Sequence, residues 1–246
     1  RETFVPAKNA GLEFSSIQAF LAYKDGTVAG RIVGIVNRCA NETWKTRNVR
    51  FGYFDFIDDL EVSAALLDAV IAWGKEQGMD KIIGPMGFTD FDKEGMLVDD
   101  FDKLSSISTL YNHAYYPQHM EKLGYEKEVD WVQIRVAVPE ETPSRFTRVS
   151  KLVAKKLRLH VRILTDKEIR EGYGRRIFNL LNEAYAPLYG YVALSPKQVD
   201  TFVEKYITVV DKQMMPVIEN EQGELIGAAI TMASISHAMQ KAKGRL

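Results

Sequence analysis

Residues 49–83 read VRFGYFDFIDDLEVSAALLDAVIAWGKEQGMDKII, and this stretch decides the fold. Its first nine residues, 49–57, form an aromatic-rich run with the composition of a β-strand. Asp58 then stands three residues before Glu61, the spacing of a capping box with Asp58 as N-cap, and Ile57 with Val62 fits a hydrophobic staple. Leu66, Leu67, Val70, Ile71 and Trp73 share one helical face, and Gly78 is placed to end the helix. Lys81-Ile82-Ile83 follows as a short strand closed by Gly84-Pro85. Strand, amphipathic helix and strand in this order make a βαβ unit, whose strands are expected to be parallel.

Upstream, residues 20–37 (FLAYKDGTVAGRIVGIVN) read as a β-hairpin: an apolar run, a turn at Asp25-Gly26, and Gly30 opening a second apolar run. Far downstream, residues 216–234 (PVIENEQGELIGAAITMAS) echo it, with Gln222-Gly223 at the turn and Gly227 in the place of Gly30. Such an echo is the signature of a tandem duplication. Between the hairpins, residues 89–102 (TDFDKEGMLVDDFD) form an acidic loop, residues 115–123 a short helix ending at Gly124, and residues 129–138 (VDWVQIRVAV) a strand that stops at Pro139. Residues 140–159, bounded by Pro139 and containing Pro143 and a basic amphipathic stretch from Arg145 to Arg158, read as a linker between a first domain (1–139) and the start of a second (160–246). The second half restarts with a strand near 161–164, a long helix over 166–185, and a helix over 195–206 with Ser195 as N-cap and Pro196 at N1. Beginning at Arg1 and ending just after a strand-like run, the chain reads as a fragment. The fold class expected is α/β (α+β), a mixed sheet flanked by helices.

Composition narrows the function. Among 246 residues, 32 Lys+Arg balance 33 Asp+Glu, which excludes the broad basic footprint of a dedicated nucleic-acid binder. No apolar run approaches the ~20 residues of a membrane span, and the start lacks the layout of a signal peptide. The single Cys39 cannot form an internal disulfide, which fits a reducing cytoplasm. We therefore expect a cytoplasmic protein with no nucleic-acid or membrane partner.

Several chemistries are absent from the sequence. It contains no G-x-S-x-G elbow, no H-E-x-x-H and no cysteine cluster, and it lacks both the P-loop and the Rossmann glycine fingerprints. No metal is expected: Asp90-x-Asp92-x-Glu94-Gly95 resembles the start of a calcium loop, but the twelfth position is Phe101 rather than Glu. Tyr111-Asn112-His113-Ala114-Tyr115-Tyr116-Pro117 is dense in hydrogen-bonding aromatics. Such rings pack helices onto sheets, and a phenol facing a cleft can also act as a proton donor or ligand contact.

The order hairpin, strand, capped helix, strand, then MEKLGYEKEVDWVQIRV at 120–136, resembles the GNAT acyl-CoA N-acyltransferase family. The phrases KNAGLEF, FLAYKDGTVAGRIVGIVN, GYFDFIDD, GMDKIIGPMGF and YNHAYYP, with the terminal GRL, resemble a bacterial group of tandem GNAT-like proteins. The resemblance covers nearly the whole chain. It implies an acyl-CoA (acetyl-CoA or another) as cofactor and an amine, small-molecule or peptide, as acceptor. In that family the strand before the capped helix splays from its neighbour and binds the pantetheine arm, and a Q/R-x-x-G-x-G/A loop holds the pyrophosphate at the helix start. Here the matching loop is Asp58-Asp59-Leu60-Glu61, with three acids and no glycine. One carboxylate about 4 Å from a phosphate costs ~4 kcal/mol at an effective dielectric near 20, against ~0.3–1 kcal/mol from a helix dipole. The first half is thus a poor pyrophosphate site, and no cofactor-binding residue is assigned.

The family's general-acid tyrosine aligns with Met120, leaving Tyr115 or Tyr116 as catalytic candidates. Tyr111, Asn112, Phe54 and Phe56 are the substrate-binding candidates. Three readings compete: an acyl-CoA-dependent N-acyltransferase; a degenerate GNAT-like module that binds a ligand or partner without catalysis; and transfer from an aminoacyl-tRNA, suggested only by the basic stretch 145–158. A homodimer is left open by the sequence.

Overall fold

The computed structural model describes residues 2–106, 108–207, 210–243 and 245. The chain divides into two compact units. The first takes the residues up to Trp131, with Leu188–Val192 and the residues from Ser234 on; the second takes Val132–Pro187 and Ala193–Ala233. Both are mixtures of helix and sheet.

In the first unit, β1 (Ser15–Lys24) and β2 (Thr27–Asn37) form the expected hairpin, followed by the short α1 (Arg38–Trp44), then β3 (Asn48–Phe56), α2 (Leu60–Glu76) and β4 (Lys81–Ile83). The four strands form one sheet in chain order, antiparallel except for β3 and β4, which are parallel and pair Asn48 with Lys81, Val49 with Ile82 and Arg50 with Ile83. The βαβ reading is borne out. Val62, Leu66, Leu67 and Val70 of α2 are buried with Ile32, Val36, Val49, Phe51 and Phe56 of the sheet. On the opposite side Val33 and Ile35 pack with Phe88, so β2 is covered on both faces. Gly78, at φ +79°, ends α2, and Met79 N–H donates to Gly74 O at 2.9 Å.

The start of α2 differs from the expectation by one residue. The N-cap is Asp59, whose side chain accepts from Glu61 N–H at 3.0 Å. With Asp59 as cap the N3 residue is Val62, which cannot reach back with a polar group, so no capping box forms. Asp58 is held instead by His119. Ile57 is 47% exposed and staples nothing.

The second unit begins with residues 132–143 and α4 (Ser144–Leu157), which occupies the stretch expected as a linker; α3 (Tyr115–Lys122) precedes it in the first unit. β5 (His160–Ile163), β6 (Pro216–Glu219) and β7 (Leu225–Ala228) form an antiparallel sheet in that order. The helix expected over 166–185 is broken: α5 (Asp166–Glu168), capped by a Thr165–Glu168 box, passes through a π-turn to α6 (Gly174–Tyr185), with Gly172 at φ +139°. That angle lies outside helical space and interrupts the ladder. α7 (Pro196–Lys205) has the expected Ser195 cap, closed into a box by Gln198. Glu219 is buried yet accepts from Arg162 Nη1 and Tyr173 Oη, each at 2.7 Å. These bonds outweigh burial and hold its carboxyl below the usual carboxylate range. The last helix, α8 (Ser236–Lys241), belongs with the first unit.

Residues 129–138 are not a strand. Their period-2 pattern suits a half-buried strand, but none of them is in a sheet, and Val132, Ile134, Val136 and Val138 are 73–89% exposed. Periodicity marks a face that can be buried and says nothing about whether a partner edge is present.

The two hairpins share a detail that sequence could not show. In β1–β2, Ala22 pairs with Gly30 and Tyr23 with Val28, leaving Ala29 as a one-residue bulge. In β6–β7, Ile218 pairs with Gly227 and Glu219 with Leu225, leaving Ile226 in the same place relative to its glycine.

One glycine sets the spacing of the first sheet's upper end. A Cβ on Gly52 would stand 2.2 Å from the carbonyl oxygen of Met86, a backbone atom with no rotamer to give way. Gly52→Ala is expected to lower the stability of the first unit by ~3 kcal/mol, read from chemical denaturation followed by circular dichroism. Gly26→Ala, at an open turn with φ +75°, should lose no more than ~1 kcal/mol.

Candidate functional site

The candidate site is built on the far end of β3. β4 accompanies β3 for three residues only, and the last backbone bond on that side is Met86 N–H to Phe51 O at 2.8 Å. Beyond it the two segments part. Within the diverging part β3 carries a bulge, with Tyr53 and Phe54 together facing Ile32 between the Asp55–Arg31 and Gly52–Val33 pairs. Tyr53 sits at φ +51°, a conformation that costs a non-glycine residue ~1 kcal/mol. Ile57 N–H donates to Ala29 O across β2, so the peptide groups of Phe56 point the other way, to the side β4 has left.

α3 fills that side. Tyr115 Oη donates to Phe56 O at 2.6 Å, and Tyr116 Oη accepts from Phe56 N–H at 3.3 Å while donating to Asp55 Oδ1 at 2.6 Å. The two phenols thus take the hydrogen bonds a neighbouring strand would make. Phe56 packs against Tyr116 at 4.2 Å and Phe54 at 4.4 Å between ring centres, the ring planes tilted by 31° and 33°, which closes the cluster. Burial, with the bond to Asp55, pushes the Tyr116 phenol far up, and burial also raises Tyr115. Both hydroxyls stay protonated at neutral pH.

Of the six residues expected at the site, the structure brings together Phe54, Phe56, Tyr115 and Tyr116. Tyr111 lies apart, 53% exposed, with its edge against His113. Asn112 is buried and committed: Leu97 N–H donates to its Oδ1 at 2.6 Å and its Nδ2 donates to Leu97 O at 3.1 Å, clamping the acidic loop to the start of α3. Met120 packs against the core and offers no proton.

Behind the tyrosines runs a chain that sequence reasoning missed. His119, 3% exposed, has Nδ1 2.9 Å from Ser63 Oγ and Nε2 3.0 Å from Asp58 Oδ1. The order serine, histidine, carboxylate is that of a hydrolase triad, but Ser63 is 0% exposed and reaches no substrate. Its effect is positional: it pins α3 to the first turn of α2. Asp59 is paired with Lys24, and hydrogen bonding to that lysine holds its carboxyl below the usual range. The approach to α2 therefore presents two carboxylates already engaged, Asp59 with the Lys24 ammonium and Asp58 with the His119 imidazole, where the family resemblance would put a phosphate.

A second polar cluster lies in the same unit, under the acidic loop. Arg50, on β3, is 3% exposed and donates from Nη1 to Gly87 O at 3.2 Å. Around it stand Glu94, Asp90, Asp92 and Tyr189. Asp92 accepts from the Phe88 and Thr89 amides, and Asp90 from the Val192 amide. Glu94 Oε1 is buried and has no hydrogen-bond partner among the described residues. Burial first, and then the charge of Asp90, push the Glu94 carboxyl up to about 8, with Arg50 opposing. Such a carboxyl exchanges protons near neutral pH. Arg50 within VRFGYF was the available signal, a charge among aromatics on a strand; nothing near Glu94 set it apart from its acidic neighbours. No group of three His, Cys, Asp or Glu side chains placed to hold a metal ion occurs among the described residues.

The chain is 28% identical over 224 residues to Protein YghO of Escherichia coli (strain K12), covering 89% of this chain and 56% of that protein. It is 22% identical over 252 residues to the bacterial ceramide synthase of Caulobacter vibrioides (strain NA1000 / CB15N), covering 100% of this chain and 63% of that protein. The chain therefore spans less than two thirds of the length of the curated relatives it matches. No family model matches it. No solved structure matches it.

Glu94 provides a direct check of the second cluster. The unfolded chain ionises Glu94 near its ordinary 4.5, whereas the folded unit keeps the proton to about 8. Between those values the unfolded state loses a proton the folded state retains, so stability falls as pH rises through that window. Glu94→Gln is expected to flatten this slope and raise stability above pH 8 by up to ~5 kcal/mol, the displacement from 4.5 to about 8 at ~1.4 kcal/mol per pH unit, measured by thermal unfolding from pH 4 to pH 9.

Proposed function

We propose that this chain supplies the acceptor side of an acyl-CoA-dependent N-acyltransferase, with acyl-CoA held outside the first unit. The similarity to a protein named ceramide synthase supports acyl transfer, since a ceramide is a long-chain amide and its synthesis joins an acyl group to an amine. The observation that carries the division of labour is the filled β3 edge. Tyr115 and Tyr116 occupy the Phe56 peptide groups that a pantetheine arm would use under the family resemblance, and Asp58 and Asp59 occupy the phosphate position. The matching bulges of the two hairpins support reading the halves as related copies.

In the proposed reaction the neutral acceptor amine attacks the thioester carbonyl carbon. The tetrahedral intermediate collapses with cleavage of the C–S bond, the amine proton passes to a base, and the thiolate takes a proton as CoA leaves. Cys39, free among the described residues, suits the cytoplasm as the place of action. The second reading, a ligand-binding module without catalysis, is favoured by one observation: both candidate phenols are already committed to the backbone of β3 or to Asp55.

Calorimetric titration of CoA into the 246-residue chain, as wild type and as Asp58→Asn/Asp59→Asn, is expected to show no binding at millimolar concentration in either. Assays on a longer protein carrying this chain, with acyl-CoA and a long-chain amino alcohol, should yield the amide by mass spectrometry. Amide formation absent with every amine, alongside intact ligand binding, would favour the non-catalytic module. CoA binding abolished by substitutions at the Phe56 edge would overturn the division of labour.

A further inference from the structure

α4 is a helix that the described residues leave uncovered. None of its residues is buried, and Phe146, Val149, Leu152, Val153 and Leu157 are 44–67% exposed. Phe146, Val149, Val153 and Leu157 follow the i, i+3, i+7, i+11 spacing and so lie along one stripe. The remaining surface carries Arg145, Arg148, Lys151, Lys155 and Lys156, with no acidic residue anywhere in the helix. None of these five cations forms an ion pair with a described residue, whereas Arg158, just beyond, is paired with Glu221 at 2.9 Å. A 14-residue helix with β-branched Thr147, Val149 and Val153 has little intrinsic stability in water, so its apolar stripe calls for a covering surface.

The charge pattern selects that surface. An apolar stripe with Arg145 and Lys156 along one side and Arg148, Lys151 and Lys155 on the opposite face, in a helix too short and too charged to span a bilayer, is the layout of a segment lying in a membrane interface; among the described residues no helix is long and apolar enough to cross one. A groove on a protein partner would have to place acids opposite five cations spread over four turns, whereas anionic headgroups supply negative charge at every position. Long Lys and Arg stems also let their charges reach the headgroups while the stripe is immersed. Immediately upstream, Val132, Ile134, Val136 and Val138 add a run of exposed apolar side chains in the same unit.

We propose that α4 docks this protein onto anionic membrane surfaces, with Phe146, Val149, Val153 and Leu157 in the interface and the five cations on lipid headgroups. This docking stands on α4 alone, is independent of the acyl-transfer reading, and departs from the composition-based expectation of no membrane partner.

The test is co-sedimentation of the full chain with vesicles of phosphatidylglycerol and phosphatidylcholine, or of phosphatidylcholine alone, at low and high salt. Binding is expected to the anionic vesicles at low salt and to weaken at least tenfold in high salt or on phosphatidylcholine. Lys151→Gln/Lys155→Gln/Lys156→Gln should weaken it about a hundredfold, near fivefold per charge. Phe146→Ser/Val153→Ser, with its circular dichroism spectrum unchanged in solution, should weaken it at least tenfold. Equal binding to both vesicles, no binding, or loss with the lysine variant but not the Phe146 variant would each overturn the proposal. A wild-type dimer in analytical ultracentrifugation that dissociates on Phe146→Ser/Val153→Ser would assign the stripe to a second copy instead.

Discussion

A strand whose edge is covered but unpaired leaves its peptide groups without water or partner, at a cost of ~1–3 kcal/mol each. β3 is in that position from Gly52 onward, because β4 is only three residues long and turns away after Ile83. The arrangement of the first unit follows from how this edge is served. α3 must lie where its phenols reach Phe56, so its start is fixed at Tyr115, and the Asn112 clamp on Leu97 fixes the loop that leads into it. His119, one turn on, then falls beside Ser63 and Asp58, tying the same helix to the start of α2.

This solution shapes what the unit can bind. A hydroxyl that caps a peptide group is not free for a ligand, and an aspartate already paired with a lysine or a histidine makes a poor neighbour for a phosphate. The structure that stabilises the splayed edge is therefore also the structure that fills it. Polar groups of a different kind gather under the acidic loop, where buried Arg50 faces several carboxylates and the buried Oε1 of Glu94 has no hydrogen-bond partner among the described residues. The Phe88 and Thr89 amides hold Asp92 in place, and the Val192 amide holds Asp90.

Much of the architecture was legible because it rests on local pattern. The βαβ unit was announced by an apolar face of period 3.6 between two strand-like runs, and the hairpins by Asp25-Gly26 and Gln222-Gly223. The Ser195-Pro196 start of α7 was legible for the same reason. The cap of α2 was misplaced by one residue because Asp58 and Asp59 are chemically alike, and only the position of His119, 61 residues away, separates their roles. The break at Gly172 was hidden because an isolated glycine is tolerated within a helical pattern. Residues 129–138 illustrate a firmer limit, since alternation encodes a face and not the partner that covers it. The phenols of Tyr115 and Tyr116 were identified, but their bonding to β3 depends on how far β4 extends, which no local rule states.

The paired bulges bear on how the two hairpins tolerate change. At Gly30 an added methyl would meet Leu66 Cδ1 at 2.8 Å and the Asp55 carbonyl at 2.9 Å, whereas at Gly227 its nearest neighbour, Ile218 Cδ1, is at an ordinary 3.5 Å. The same residue in the same turn is thus obligatory in one hairpin and optional in the other. The difference arises because α2 packs across the first hairpin, bringing Leu66 against its bulge, and β3 closes it from the side. Substitutions can accumulate freely at position 227 while position 30 admits almost none. Two segments with equal local geometry would then drift apart at unequal rates, and their likeness would fade first in the hairpin that carries the lighter packing.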